Sequence, residues 1–252
     1  MHIQNKKRFY LMMGLLGFII ILLGFSIYMI WTAISARNVP IAPTSNTATV
    51  DSTQGNRTDT VTSQAIADPT DILVLVNKTT SLDQDYLPPD LVSVDLPGVR
   101  ETQLRKEAAT ALEDLFDAAA LKNLTLYCCS GYRSYQSQDQ LYAENVNAYG
   151  QKEADLVSAK PGQSEHQTGL AMDVTAESVN FDLLESFGQT PEGQFIKNNA
   201  HLYGYIIRYP EDQTAITGYA YEPWHLRYVG KDVAAEIFKN SLTFEAYLTQ
   251  VQ

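Results

Sequence analysis

Between Tyr10 and Trp31 the chain carries no charged residue, and Ser26 is almost its only polar one. As a helix, these roughly 22 residues span about 33 Å, enough to cross the hydrocarbon core of a bilayer. Lys6, Lys7 and Arg8 precede the run. The positive-inside rule keeps them in the cytoplasm and sends the rest of the chain outward. The competing reading is a cleaved signal peptide. Its apolar region is usually only about 7–15 residues long, and Ala33 to Ala36 offers a weak cleavage site. The expectation is a cytoplasmic N-terminus at 1–9, a transmembrane signal anchor at 10–34 and a single pass through the cell membrane, with the remainder extracellular.

Residues 35–70 are rich in Ser, Thr, Pro, Asn and Asp, with few large apolar side chains. Such a stretch buries too little surface to offset its chain entropy and reads as a flexible tether. Composition shifts at Asp71-Ile-Leu-Val-Leu-Val, where a strand-like apolar run opens the folded domain, placed at 71–252. The net charge is -11, and the first 37 residues hold four cations and no acid, so the remainder carries -15. A surface this acidic argues against nucleic acid as a partner. The two cysteines, Cys128 and Cys129, are adjacent and lie in an apolar, β-prone run. They read as small buried hydrophobes, without the C-x-x-C spacing of a metal site.

Within the domain, Leu104, Ala108, Leu112, Leu115, Phe116 and Ala119 recur at helical spacing and predict a helix over 101–122. A strand follows over 124–129. A helix over 134–149 has Ser134 as its N-cap and Gly150 as its stop. Further strands are expected at 170–174, 205–209 and 220–228, with helices at 192–202 and 231–239. Helices and strands without regular β-α-β alternation suggest an α+β fold, a compact single domain with a central antiparallel sheet and flanking helices.

Four histidines are present. His2 precedes the apolar run, and His201 sits beside apolar residues as a structural side chain. His166 lies in Ser164-Glu-His-Gln-Thr-Gly-Leu-Ala-Met-Asp173, where a turn at Gly169 would return Asp173 to the same centre. His225 lies in Glu222-Pro-Trp-His225. In a regular strand positions 222 and 225 face opposite sides, and a kink at Pro223 would bring them together. Two imidazoles and a carboxylate are a common catalytic zinc set with one position left for water. A nearby carboxylate such as Glu222 can carry the water's proton. Arg133, in Ser130-Gly-Tyr-Arg-Ser-Tyr-Gln-Ser-Gln138, falls between a strand end and a helix start, where a guanidinium can grip a carboxylate or steady an oxyanion. On spacing alone, scattered structural residues fit as well.

The three segments S-G-Y-R-S, S-E-H-Q-T-G-L-A-M-D-V and E-P-W-H-L-R-Y-V-G, in this order, resemble the VanY-type D-alanyl-D-alanine carboxypeptidases. These are zinc peptidases related to the vancomycin-resistance dipeptidases and to L,D-carboxypeptidases of the cell wall. The resemblance covers roughly residues 71–240. It implies a Hedgehog/D,D-peptidase-like fold, Zn2+ as cofactor and peptidoglycan stem peptides as substrate. It also implies removal of the C-terminal D-alanine, D,D- or L,D-, by water activated at the metal. It matches His166, Asp173 and His225 to zinc ligands, and Glu222 to the general base and acid. Arg133 matches the arginine that steadies the oxyanion and holds substrate, Ser164 a substrate-contacting serine, and Gln138 a glutamine of the same pocket.

The runner-up is a zinc endopeptidase cutting within wall peptides. A third reading is a wall-binding module that holds zinc without turnover. A structural zinc site normally has four protein ligands, and no fourth stands out. Nothing in the sequence sets an oligomeric state.

Overall fold

The computed structural model describes residues 67–251. The expected cytoplasmic segment 1–9, the transmembrane segment 10–34 and nearly all of the 35–70 tether lie outside the described residues.

Helix α1 (Lys106–Ala120) buries Ala108, Leu112, Leu115, Phe116 and Ala119 on one face, as the three- and four-residue spacing requires. It begins five residues later than the expected start at 101. Gln103–Arg105 is a short strand, β2, paired antiparallel with β1 (Leu91–Ser93). Leu104 is fully buried, but from the strand and not from the helix. The apolar run at 71–76 is not a strand either. Val74 and Val76 enter the core from an irregular segment. The carbonyls of Ile72 and Val74 are spent on the guanidinium of Arg227, at 2.9 and 2.8 Å.

The main sheet has four strands: β3 (Tyr127–Ser130), β4 (Ala171–Thr175), β5 (Tyr205–Tyr209) and β6 (Glu222–Tyr228). Their order is β3-β4-β6-β5, with every neighbour antiparallel. Helix α2 (Tyr135–Tyr149) starts where the Ser134 side chain accepts from the Ser137 N–H, and ends at Gly150 with φ 82°. Helix α3 (Gln151–Val157) follows at once; the sequence reading passed over it. Helix α4 (Pro191–Asn199) is capped by Thr190 and tightens into a 3-10 turn, Ala200–Tyr203, before Gly204 at φ 83°. The short α5 (Thr214–Thr217) precedes β6. Helix α6 (Lys231–Asn240) and α7 (Phe244–Val251) close the described chain.

Both faces of the sheet are covered. Met172, Val174, Tyr205, Leu226 and Tyr228 join Leu104, Leu112 and Leu115 in the larger apolar cluster. Ile206, on the other face of β5, joins Ile237, Phe244 and Leu248 in a smaller one. Cys128 belongs to the larger cluster, and both cysteines are buried and free. Burial pushes the Cys128 thiol up to about 12, so it stays protonated. The single α+β domain with an antiparallel sheet is therefore as expected.

Candidate metal centre

The 3-10 turn Glu165–Thr168 carries His166, and Gly169 ends it in the left-handed region at φ 67°. That conformation suits glycine, and a β-carbon there would also meet Leu91 Cδ2 at 2.8 Å. The chain turns at this point into β4, which brings Asp173 back beside His166. Oδ2 of Asp173 lies 3.3 Å from Nε2 of His166.

His225 arrives from the neighbouring strand, with Asp173 directly opposite it in the β4–β6 register. Its Nδ1 is 3.1 Å from Asp173 Oδ1 and 3.6 Å from Glu222 Oε2. Glu222 and His225 share one side because β6 is irregular. Ile207 faces Leu226 and Tyr209 faces Glu222, so two steps along β5 are matched by four along β6. Extra residues around Pro223 break the alternation, as bulges do.

His166, Asp173 and His225 each offer a ligand atom, and these atoms lie within 4.8 Å of one another. Oδ1 of Asp173 is buried without a hydrogen-bond partner. An unpaired buried carboxylate oxygen is costly unless a cation takes it up. On the far side of His166, Nδ1 sits 2.8 Å from the Gly131 carbonyl. If it donates there, Nε2 is free to face the cluster. The donor set therefore fits zinc: two imidazoles and one carboxylate, among the described residues the one group of its kind.

The electrostatics are those of a buried ionic site. Burial would raise Asp173, but His166 and His225 beside it hold it well below the usual carboxylate range. Burial would lower His225, but the carboxylates of Asp173 and Glu165 lift it to about 9. Burial pushes Glu222 up to about 7, with His225 opposing and Asp173 adding to the rise. A bound divalent cation would reverse part of this, favouring ionised Glu222 and a His225 with no proton on the nitrogen that faces it.

The site opens into a cavity of about 390 Å3 lined by Arg133, Gln138, Ser164, Tyr209, Tyr219, Trp224 and the four residues above, among others. Arg133 is held at both ends of its fork. Nη1 donates to Gln138 Oε1 and Nη2 to Ser130 Oγ, each at 2.7 Å. Gln138 in turn donates to the Ala159 carbonyl at 2.7 Å. Nη2 of Arg133 is 4.0 Å from Asp173, so the guanidinium sits at the edge of the ligand set. The seven residues singled out from sequence thus all line one cavity. His201 does not; it stacks on Phe238 with ring centroids 3.6 Å apart, beside a separate apolar cleft.

Sequence reasoning missed the layer behind the ligands. Oε1 of Glu165 accepts from Arg208 Nε and Arg227 Nη1, each at 2.7 Å, with both guanidinium side chains fully buried. Glu245 on α7 binds Arg208 in two-pronged fashion at 2.9 and 2.6 Å. The signal lay in Arg208 and Arg227 themselves, each flanked by apolar or aromatic residues on a strand.

Comparison with known proteins agrees with this geometry. The family model described as VanY, D-alanyl-D-alanine carboxypeptidase, matches residues 101–231. A putative carboxypeptidase, YodJ, of Bacillus subtilis (strain 168) is 46% identical over 194 residues, 75% of this chain and 71% of that one. The structure of LdcB, an LD-carboxypeptidase, superposes with a TM-score of 0.70 at 47% identity, covering 73% of this chain and 88% of that one. A variant of the vancomycin-resistance D,D-pentapeptidase VanY in complex with Zn(II) superposes at 0.61 with 31% identity, covering 72% and 99%.

Proposed function

The chain belongs to the VanY family of D-alanyl-D-alanine carboxypeptidases, and from this premise we propose that it is a zinc carboxypeptidase of peptidoglycan stem peptides. The observation that carries the reading is the convergence of His166, Asp173 and His225 beside Glu222, in a cavity shared with Arg133.

His166 through Nε2, His225 through Nδ1 and Asp173 through its carboxylate would hold the metal. Zinc, when bound, acidifies water and polarises the scissile carbonyl. Glu222 accepts the attacking water's proton and passes it to the departing amine of D-alanine. Its burial raises its affinity for that proton above that of an ordinary carboxylate. Arg133, fixed by Gln138 and Ser130, presents its guanidinium to negative charge. Either the developing oxyanion or the substrate's terminal carboxylate suits it. Ser164 and Gln138 line the same wall and complete the polar end of the pocket.

Greater likeness to the LD-carboxypeptidase structure than to the D,D-pentapeptidase favours tetrapeptide stems, cut between an L-centre and D-alanine. Tetrapeptide and pentapeptide stems incubated with the zinc-loaded protein, with products followed by mass, test both parts. Loss of one terminal alanine, abolished by chelator, is expected, and faster from the tetrapeptide. Cleavage of cross-linked dimers with both stems intact would favour the endopeptidase reading instead.

The same proposal places the enzyme on the outer side of the cell membrane. The uncharged run at 10–34 and the cations before it support an anchor, and 35–70 a tether for the domain at 71–252. Membrane fractionation with protease shaving of intact cells tests this. A soluble, protected domain would contradict it.

A further inference from the structure

The two ring nitrogens of His225 have different neighbours. Nδ1 faces Asp173 and Glu222. Nε2 points the other way, to Glu165 Oε2 at 3.6 Å. Neither Nε2 nor Glu165 Oε2 has a hydrogen-bond partner, and both atoms are cut off from solvent. Two unpaired buried polar atoms of complementary kind, facing each other, mark a hydrogen bond that a small ring movement completes.

Glu165 itself cannot wander. Its other oxygen is clamped between Arg208 and Arg227. Arg208 is clamped by Glu245, and Arg227 by the carbonyls of Ile72, Val74 and Tyr228. Two guanidinium groups against two carboxylates balance, so the network has no need of charge on the imidazole. Phe244 of α7 lies under both guanidinium groups, at 5.5 and 5.0 Å.

We propose that Glu165 is a positioning residue for His225, accepting a hydrogen bond from Nε2–H so that bare Nδ1 is aimed at the ligand set, and that Glu245 holds the arginine that holds Glu165. The inference rests on the zinc reading of the site and goes beyond it. It couples the C-terminal helix, outside the matched residues 101–231, to the metal centre through Glu245, Arg208, Glu165 and His225. A carboxylate on the outer nitrogen of a ligating histidine fixes both its tautomer and its ring orientation.

Glu165→Gln separates this role from a merely structural one. If the amide oxygen stays with the two arginines, its NH2 opposes Nε2–H. If the oxygen turns to Nε2–H, the NH2 opposes two guanidinium donors. One amide cannot satisfy both sides. The full-length chain in mild detergent, 15N-labelled at histidine, supplies two readouts. One is the Nε2–H signal of His225 in the zinc-loaded state. The other is the zinc dissociation constant from competition with a chromogenic chelator.

The wild-type signal is expected downfield and protected from exchange, and Glu165→Gln should lose it and weaken zinc binding about 10–100-fold. Glu245→Gln, which touches none of the ligands, should weaken zinc binding by a smaller factor, with Glu245→Asp recovering part. A purely structural role would lower the thermal midpoint and leave both readouts unmoved. An unchanged signal with a zinc dissociation constant within about twofold of wild type in folded Glu165→Gln overturns the proposal. Should that variant not fold, Glu245→Gln decides by the same two readouts. A wild-type chain that takes up no zinc would instead sink the reading on which the inference rests.

Discussion

The two faces of the four-stranded sheet are both covered, one by the larger apolar core and the other by a buried ionic network beside the smaller apolar cluster of Ile206. On one face Met172, Val174, Tyr205, Leu226 and Tyr228 pack against α1 in an apolar core. On the other, Asp173, Arg208, His225 and Arg227 are buried with little or no exposure, each beside an opposite charge or a ligand atom. The same strands supply both sets by simple alternation. The apolar face holds the fold, and its stabilisation follows from area removed from water. The ionic face is a poor source of stability, because desolvation offsets what the charge pairs gain. What it supplies is a rigid, charged, water-poor wall on which a metal and a reacting carbonyl can be placed.

This contrast is broken most strongly by Glu222→Gln. The variant should lose about 10²–10⁴ in turnover if the proton shuttle is as proposed. It should retain zinc and unfold no earlier than wild type, since burial already disfavours the charged carboxylate. Steady-state kinetics and a thermal melt together check this. Leu115→Ala on α1 is the converse. A fully buried leucine cut to alanine should cost about 2–5 kcal/mol in urea unfolding, with turnover per folded molecule unchanged. Arg133→Ala should lower kcat/KM about 10²–10³-fold, about 3–4 kcal/mol of transition-state stabilisation. Stability should fall by about 1–3 kcal/mol, because buried Gln138 Oε1 loses its donor.

The smallest effect sharpens the comparison through pH. Burial would raise Glu165, but Arg208 and Arg227 hold it well below the carboxylate range. Its folded value lies below its unfolded one, near about 4.3. Glu165 therefore contributes stability above that unfolded value, and loses it as pH falls toward the folded value. Urea midpoints measured from pH 7 down to pH 3 should fall in wild type below about pH 4. Leu115→Ala should shift the whole curve down without changing its acid slope. A wild-type curve flat through that window would mean that Glu165 holds its proton as readily folded as unfolded, against the effect of the two arginines.

How far these features were legible in the sequence follows the same division. Helix α1, the Ser134 cap with its Gly150 stop, and β5 were readable because local spacing and turn chemistry dictate them. The metal-centre residues were readable as motifs, yet their meeting depended on Gly169 in the left-handed region and on the irregular β6. The 71–76 run misled because β-prone composition does not say whether a partner strand exists. Its backbone instead feeds Arg227. Arg208 and Arg227 were passed over because a charged residue alternating with apolar ones ordinarily marks a solvent face. Only the tertiary fold, by laying Glu165 and Glu245 over that face, makes them interior.

The most direct test of the account is a zinc titration of the metal-free chain while release of D-alanine from a tetrapeptide stem is followed. The account predicts activity that rises linearly and saturates at one zinc per chain, with no rise in Asp173→Ala. Full activity without added metal, or an Asp173→Ala variant that is restored as wild type is, would contradict it.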